Sequence, residues 1–508
     1  MMSQFKFAAV FTDGAVLQRN REIPVWGTCT EGSRIAIELN GTKTEAAVTG
    51  STWRANLPPQ SAGKGLTLTA RSDSGEVLCC HEIAVGDVWV AAGQSNMQFF
   101  LRYDYDFPLA KMYRPLPDIH FYNQPHTRCA DEVNHDSAAG HWFHDGDPEF
   151  AVFSAVGYWF ARALQPEIGV PIGIIGCNWG GTTASTWLDE SYLESGDLPV
   201  YLKEYEDACK KINPETYHDD CMRAMEIEQI WNIGWTKVSY GLTWEEQQIF
   251  KTTPWDIDVP EGPPLLMGPM HQNRPGGLYH NMVEKLIPFA VKGVLWYQGE
   301  SDDIHPEIYD QLFSSLIRCW RKNWQQNLPF LFVQLPSFCH WMDCKGAAFP
   351  VIREKQELVS KTVPDAYMIS IMDFGMHDDI HPKRKRPVGE RLALLARGKI
   401  YGEPLLCESP ALDHAEEVDN KICLHFANAG GGLWVRAYHL EHFRVLQNGR
   451  EIPIQNATAQ NDCVFLTLGE TMHGCITVEF AEADFATVAL YNSVGLPALP
   501  FRCQVELT

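Results

Sequence analysis

Four short stretches hold residues whose types could carry out acyl transfer. They are Gly93-Gln94-Ser95-Asn96-Met97, Trp179-Gly180-Gly181-Thr182, Trp296-Tyr297-Gln298-Gly299-Glu300-Ser301-Asp302 and Asp378-Asp379-Ile380-His381-Pro382. A serine hydroxyl needs a base within reach, and the base needs a carboxylate on its far nitrogen to fix its tautomer. The oxyanion then needs N–H donors. Ser95 is the candidate nucleophile and His381 the candidate base, in the chain order Ser…Asp…His. Asp378, three residues before His381, can curl back to the far ring nitrogen within one loop. Gly180 and Gly181 let a backbone N–H face a ligand, and Gln298 can aim its NH₂ at a developing oxyanion. Glu300 can orient a partner, and Gln94 and Asn96 flank the serine as supporting polar residues.

Each stretch also has a plain structural reading: a capping serine, a tight turn, a satisfied amide, a His-Pro helix start. The first is not the nucleophile elbow of the α/β-hydrolases, because Met97 stands where G-x-S-x-G needs its second glycine.

The elements that must position these residues are strands. Val88–Ala92 is a continuous apolar run, as in a buried parallel strand, and ligands in such sheets sit beyond the carboxyl ends of strands. Further strands are predicted at Ile172–Ile175, Gly293–Tyr297, Phe330–Leu335 and Tyr367–Met372. Helical patterns fall at Ser154–Leu164, Ile308–Trp320, Val351–Lys361 and Val388–Lys399. Alternating β and α implies a parallel, doubly wound sheet. Before it, residues up to about Ile83 read as a small β-sandwich: Ile35, Ile37 and Leu39 alternate, and Asn40-Gly41 marks a hairpin. After about Cys407 a second β module follows, with a hairpin at Asn448-Gly449 and no catalytic-looking cluster. The expected modules are 1–84, 85–405 and 406–508. Residues of about 190–270, rich in charge and tryptophan, read as a partly helical insertion that could act as a lid.

Composition bounds the function. The 508 residues are too many for one core. The net charge of −23, from 41 basic and 64 acidic residues, argues against a nucleic-acid partner. No apolar stretch is long enough to span a bilayer, and the apolar patch near Phe5–Phe11 is too short for a signal-peptide core. Fifteen scattered cysteines suit reduced, mostly buried thiols in a cytoplasmic protein.

Read together, GQSNM, WGGT, WYQGESD and DDIHP resemble the four signature blocks of the SGNH-hydrolase superfamily. More narrowly they resemble the sialate O-acetylesterase family, to which acetylxylan-type esterases are related. Val16-Leu17-Gln18-Arg19, Gly277-Leu278-Tyr279-His280-Asn281-Met282 and Leu490–Pro497 fit the same family, so the likeness covers nearly the whole chain. The resemblance implies an α/β SGNH-type core flanked by β-sandwich modules. It implies Ser95 as nucleophile, His381 as base, and an oxyanion hole of the Ser95 N–H, a glycine N–H from Gly180 or Gly181, and the Gln298 amide. The superfamily places the acid three before the histidine, at Asp378, whereas sialate-esterase members often show it two before, at Asp379. Reach favours Asp378.

The expected activity is a serine carbohydrate O-acetylesterase acting through an acetyl-enzyme, with no metal and no cofactor. Acetylated sialic acid is the expected substrate, and Arg102, Arg274 and the run Lys383-Arg384-Lys385-Arg386 are candidate cations for its carboxylate, though such a run is more often a solvated face. The alternatives are an acetylxylan or plant-oligosaccharide acetylesterase and, in another class, a non-catalytic carbohydrate-binding protein on the same scaffold.

Overall fold

The strand Val77–Gly93 runs for 17 residues and changes character half-way. Its first part is exposed on alternate residues and pairs antiparallel with Gly63–Ser72; from Ile83 onward it is buried throughout and pairs parallel, Asp87 to Gly93, with Ile172–Asn178. The predicted change from β to β/α grammar at 83–86 therefore falls inside one element. Gly86 marks the point of closest approach, since a Cβ there would meet the Pro171 carbonyl oxygen at 1.9 Å.

The computed structural model describes residues 5–30, 34–129, 132, 139–241, 243–249 and 260–506, with only the backbone course of 231–241 and 247–249. Residues 1–4, before the amino-terminal apolar patch, and 250–259 of the predicted insertion lie outside that set. The chain divides into two units, Met1–Trp296 with Gln311–Phe330, and Tyr297–Asp310 with Leu331–Thr508.

In the first unit, the amino-terminal strands join the central sheet by continuous hydrogen bonding, in the order Lys6–Phe7, Ile23–Thr28, Thr52–Leu57, Thr42–Thr49, Arg34–Leu39, Gly63–Ser72, Val77–Gly93. Asn40 and Gly41 turn the hairpin with φ of 50° and 74°. Beyond Ile172–Asn178 lie Ile119–Asn123, parallel to it, and the antiparallel edge Trp142–His144. The sheet is thus mixed: Val16–Gln18, Ile172–Asn178 and Ile119–Asn123 pair parallel, and the other amino-terminal strands and the Trp142–His144 edge pair antiparallel. Helix Ala155–Ile168 packs on it through buried Val156, Phe160 and Leu164, is capped by the Ser154 hydroxyl, and ends at left-handed Gly169.

Val16-Leu17-Gln18-Arg19 anchors the long strand. Asp87, 1% exposed, accepts from Arg19 Nε at 3.0 Å, Arg19 Nη2 at 2.9 Å and Gln18 Nε2 at 2.9 Å. Gln18 Oε1 in turn accepts from Val88 N. Breaking a buried, hydrogen-bonded pair leaves the partner uncompensated. Asp87→Ala is therefore expected to cost about 3 kcal/mol, read as a lower urea midpoint for unfolding.

The insertion is helical, with Pro199–Cys209, Tyr217–Gly241 and Trp244–Ile249. Tyr217, Cys221, Met225 and Met270 form a small core of their own. In the second unit, two four-stranded antiparallel sheets share one core that includes Leu424, Val445, Val464, Val478 and Phe480. Helices Phe349–Thr362 and Arg386–Lys399 fall within two residues of the predicted starts. All fifteen cysteines are unpaired thiols, eight of them buried. No helix among the described residues is long and apolar enough to cross a membrane.

Candidate active site

In the first unit the chain leaves the long strand at Gly93 (φ 135°), passes extended Gln94 and enters the short helix Ser95–Gln98. Gln94 and Asn96 are 2% and 0% exposed, so their side chains hold the turn from inside while Ser95 is half-buried. The neighbouring strand ends in register, Asn178 opposite Gly93, and Trp179 N donates to the Gly93 carbonyl at 3.0 Å. That register brings the Trp179–Thr182 turn beside the serine.

The two glycines have different work. A Cβ on Gly180 would sit 3.2 Å from Ser95 Cβ, and the Gly180 N–H donates to Gln98 Oε1 at 2.7 Å. Gly181 has φ of 69° with open space around its missing Cβ, and its carbonyl accepts from Asn273 Nδ2 at 2.8 Å. Gly181→Ala is expected to cost about 1 kcal/mol of stability from backbone strain alone. Gly180→Ala pushes on Ser95 instead and is expected to lower kcat for ester hydrolysis by roughly 10- to 100-fold, since small displacements of a reacting group are costly. Parallel kinetics and melting curves on the two variants separate the effects. The turn is braced by the Thr182 hydroxyl on the Trp179 carbonyl at 2.7 Å and by Trp187 Nε1 on that hydroxyl at 3.0 Å. Trp179 stacks with the His126 ring, 4.3 Å between centroids, and the Arg128 guanidinium lies over the indole at 4.9 Å.

In the second unit Gln298 is fully buried at the end of its strand. Its amide orientation is set by Tyr309, whose hydroxyl donates to the Gln298 carbonyl oxygen and to Oε1, each at 3.0 Å. Nε2 donates to Asp302, taking one of its two N–H groups. Glu300 is 5% exposed and opens the short helical turn Glu300–Asp302.

The two aspartates before His381 part company. Asp379 lies 7% exposed, its Oδ1 accepting the His381 backbone N–H at 2.8 Å and lying 3.5 Å from His381 Nδ1. This is an Asx turn, which a carboxylate two residues upstream makes naturally. Asp378 instead accepts from His377 Nδ1 and lies 3.9 Å from His340 Nε2. The reach argument that favoured Asp378 counted residues and missed the turn: the carboxylate acting on the His381 ring is Asp379. Burial raises the Asp379 pKa, but the hydrogen bond to His381 and Lys383 Nζ at 2.9 Å outweigh it and bring it to about 2. Burial lowers the His381 pKa, and Asp379 opposes that shift without reversing it. The imidazole is therefore neutral and able to accept a proton at pH 7.

The basic run is not a solvated face. Lys383 pairs with Asp379, Lys385 is fully buried with its ammonium 5.3 Å from the Tyr297 ring centre, and Arg386 pairs with Glu390 at 2.7 Å, leaving Arg384 exposed. Arg102 is 5% exposed, its guanidinium 4.6 Å from the Tyr103 ring, and Arg274 lies 3.5 Å from Glu190.

A family model described as a carbohydrate esterase, sialic acid-specific acetylesterase, matches residues 85–225 and 269–396, more than half of the chain. The chain belongs to this family. The matched segments contain Ser95, Gly180, Gly181, Gln298, Asp379 and His381, and leave 226–268, within the helical insertion, outside. Among its relatives, a sialate O-acetylesterase of Mus musculus is 25% identical over 99% of this chain and 95% of its own length. One from Rattus norvegicus is 27% identical over 78% of this chain and 74% of its own. A crystal structure of a carbohydrate acetylesterase from Xanthomonas citri superposes with a TM-score of 0.75 at 28% identity, covering 98% of this chain and 99% of that one.

Several residues that brace these blocks escaped the sequence reading. Gln98, Asn273 and Tyr309 each orient a block from outside it, and Asp302 orients Gln298 from within its own block. Gln98 and Asp302 lie within or beside quoted blocks, so adjacency was a usable signal. For Asn273 and Tyr309 no spacing rule pointed to them.

Proposed function

We propose that this protein is a serine sialate O-acetylesterase, with Ser95 as nucleophile, His381 as general base and Asp379 as the carboxylate that orients it. Ser95 Oγ attacks the acetyl carbonyl and passes its proton to His381. The tetrahedral oxyanion is held by the N–H groups of Ser95 and Gly180 and the Gln298 amide; the substrate oxygen takes the place of Gln98 Oε1 on Gly180. Collapse expels the sugar hydroxyl, which takes the proton from His381. Water activated by the same ring then attacks the acetyl-serine and releases acetate. The observation that carries this reading is Asp379 gripping both the backbone and the ring side of His381, in a chain of a carbohydrate-esterase family. The core is read as SGNH-type, with the three modules 1–84, 85–405 and 406–508.

Sialate is favoured over neutral acetylated sugars by the description of the family and by the names of the relatives. The test is kcat/KM on O-acetylated sialic acid against acetylated xylo-oligosaccharide. A sialate preference of about 10-fold or more, near 1.4 kcal/mol, is expected. A wide preference for the neutral sugar removes the sialate reading while leaving the esterase chemistry in place.

A further inference from the structure

Away from the acetyl-ester chemistry, the carboxyl-terminal sheets bring together five residues that sequence spacing keeps apart. Strand Lys421–Ala427 sends Ile422, Leu424 and Phe426 into the core and Cys423 and His425 to the other face. The neighbouring strands add to that face in register. Glu416 stands opposite Cys423, and His414 and Cys463 stand on either side of His425.

The side chains converge. Cys423 Sγ lies 3.2 Å from His425 Nε2, Cys463 Sγ 3.2 Å from His425 Nδ1, and Glu416 Oε1 3.1 Å from Nε2. With one ligand atom taken from each, the two sulfurs and a His425 nitrogen all lie within 4.8 Å of one another. In a tetrahedral zinc site, bond lengths near 2.3 Å to sulfur and 2.0–2.1 Å to nitrogen place neighbouring ligand atoms about 3.5 Å apart. The His414 ring stacks on His425 at 4.2 Å and 8°, fixing the plane of the ligand ring. Cys423 and Cys463 are 2% and 8% exposed, whereas His425 and Glu416 remain open enough for an ion to enter.

We propose that Cys423, Cys463, His425 and Glu416 bind one divalent cation of the zinc class, bracing the strand pairs that carry them. Two thiolates and an imidazole suit zinc over magnesium or calcium, which want oxygen ligands. Glu416 and Asp462 add negative charge that a dication neutralises; Asp462 Oδ1 lies 3.4 Å from Cys463 Sγ. The thiolate is the ligand form, so binding the dication displaces one proton from each thiol.

The test uses the full-length chain, reduced and stripped with chelator, then titrated with Co²⁺ and back-titrated with Zn²⁺. The expected result is one Co²⁺ per chain, with a sulfur-to-cobalt charge-transfer band and four-coordinate d–d absorption that Zn²⁺ abolishes. Cys423→Ser with Cys463→Ser removes the charge-transfer band and weakens binding by more than about 100-fold, beyond what loss of an outer-shell group does. Glu416→Gln, which leaves both thiols and the fold intact, weakens it roughly 10- to 100-fold. Cys79→Ser with Cys475→Ser, the two exposed thiols, leaves the titration unchanged. The proposal is overturned if wild type shows no charge-transfer band. It is equally overturned if the Cys423/Cys463 double variant, folded by circular dichroism, titrates like wild type, or if the two thiols join as a disulfide that takes up no metal.

Discussion

Ser95→Ala is expected to lower kcat for acetyl-ester hydrolysis by roughly 10,000-fold or more, the scale on which nucleophile removal acts in serine hydrolases. KM should change far less, because no acetyl-binding donor is lost: the Ser95 N–H belongs to the backbone and stays. Folding should hardly move, since the substitution deletes one oxygen from a half-buried position. Steady-state kinetics on 4-nitrophenyl acetate with a melting curve alongside reads both. A variant that keeps a tenth of wild-type activity would mean that Ser95 is not the nucleophile.

The second large effect separates the two aspartates. Asp379→Asn is expected to reduce kcat by about 100- to 10,000-fold, because an amide in place of the carboxylate no longer holds the imidazole in its productive tautomer. Asp378→Asn, whose carboxylate is engaged with His377, is expected to lose less than about 10-fold, the range of a group outside the reacting set. The pH profile adds a signature that a purely structural role would not give. Burial sets the His381 pKa below the ordinary value of 6.5, and Asp379 raises it part of the way back. Only the neutral ring is a base, so kcat/KM falls as pH drops through the His381 pKa, on an acid limb lying below 6.5. Without the Asp379 charge that pKa falls further, so the acid limb of Asp379→Asn shifts to lower pH even as its plateau drops. In Asp378→Asn the limb stays where it is. The Asp379 pKa of about 2 keeps its carboxylate charged through the whole range in which His381 titrates. A larger loss in Asp378→Asn than in Asp379→Asn would reverse the assignment.

How much of this was legible in the sequence depended on whether the determining contact was local. Ser95, Gly180 and Gln298 stood out as candidates because each sits just past an apolar strand, where a continuous apolar pattern marks the element and its end, whereas His381, well beyond Ala366–Ile369, stood out only through its aspartates. Both hairpin turns, Asn40-Gly41 and Asn448-Gly449, were readable because left-handed backbone at both central residues demands such residues. The choice between Asp378 and Asp379 was not, since it hangs on a hydrogen bond to a backbone N–H two residues on rather than on the length of a loop. The border at 83–86 was legible as a change of burial, but not as a point inside one continuous strand. The central sheet is mixed where a parallel one was expected, because its amino-terminal strands and its Trp142–His144 edge are antiparallel. The Cys423–His425–Cys463 cluster was invisible, as no spacing rule links positions that only cross-strand register brings together.

The most direct test of the account is covalent labelling of the intact enzyme with a fluorophosphonate, followed by peptide mapping and assay of the residual esterase activity. The account predicts one phosphonyl group per chain, on Ser95, with activity lost in proportion to labelling and no label on Ser95→Ala. Full ester hydrolysis by a protein whose Ser95 stays unmodified, or labelling at another serine that alone tracks the loss of activity, would contradict it.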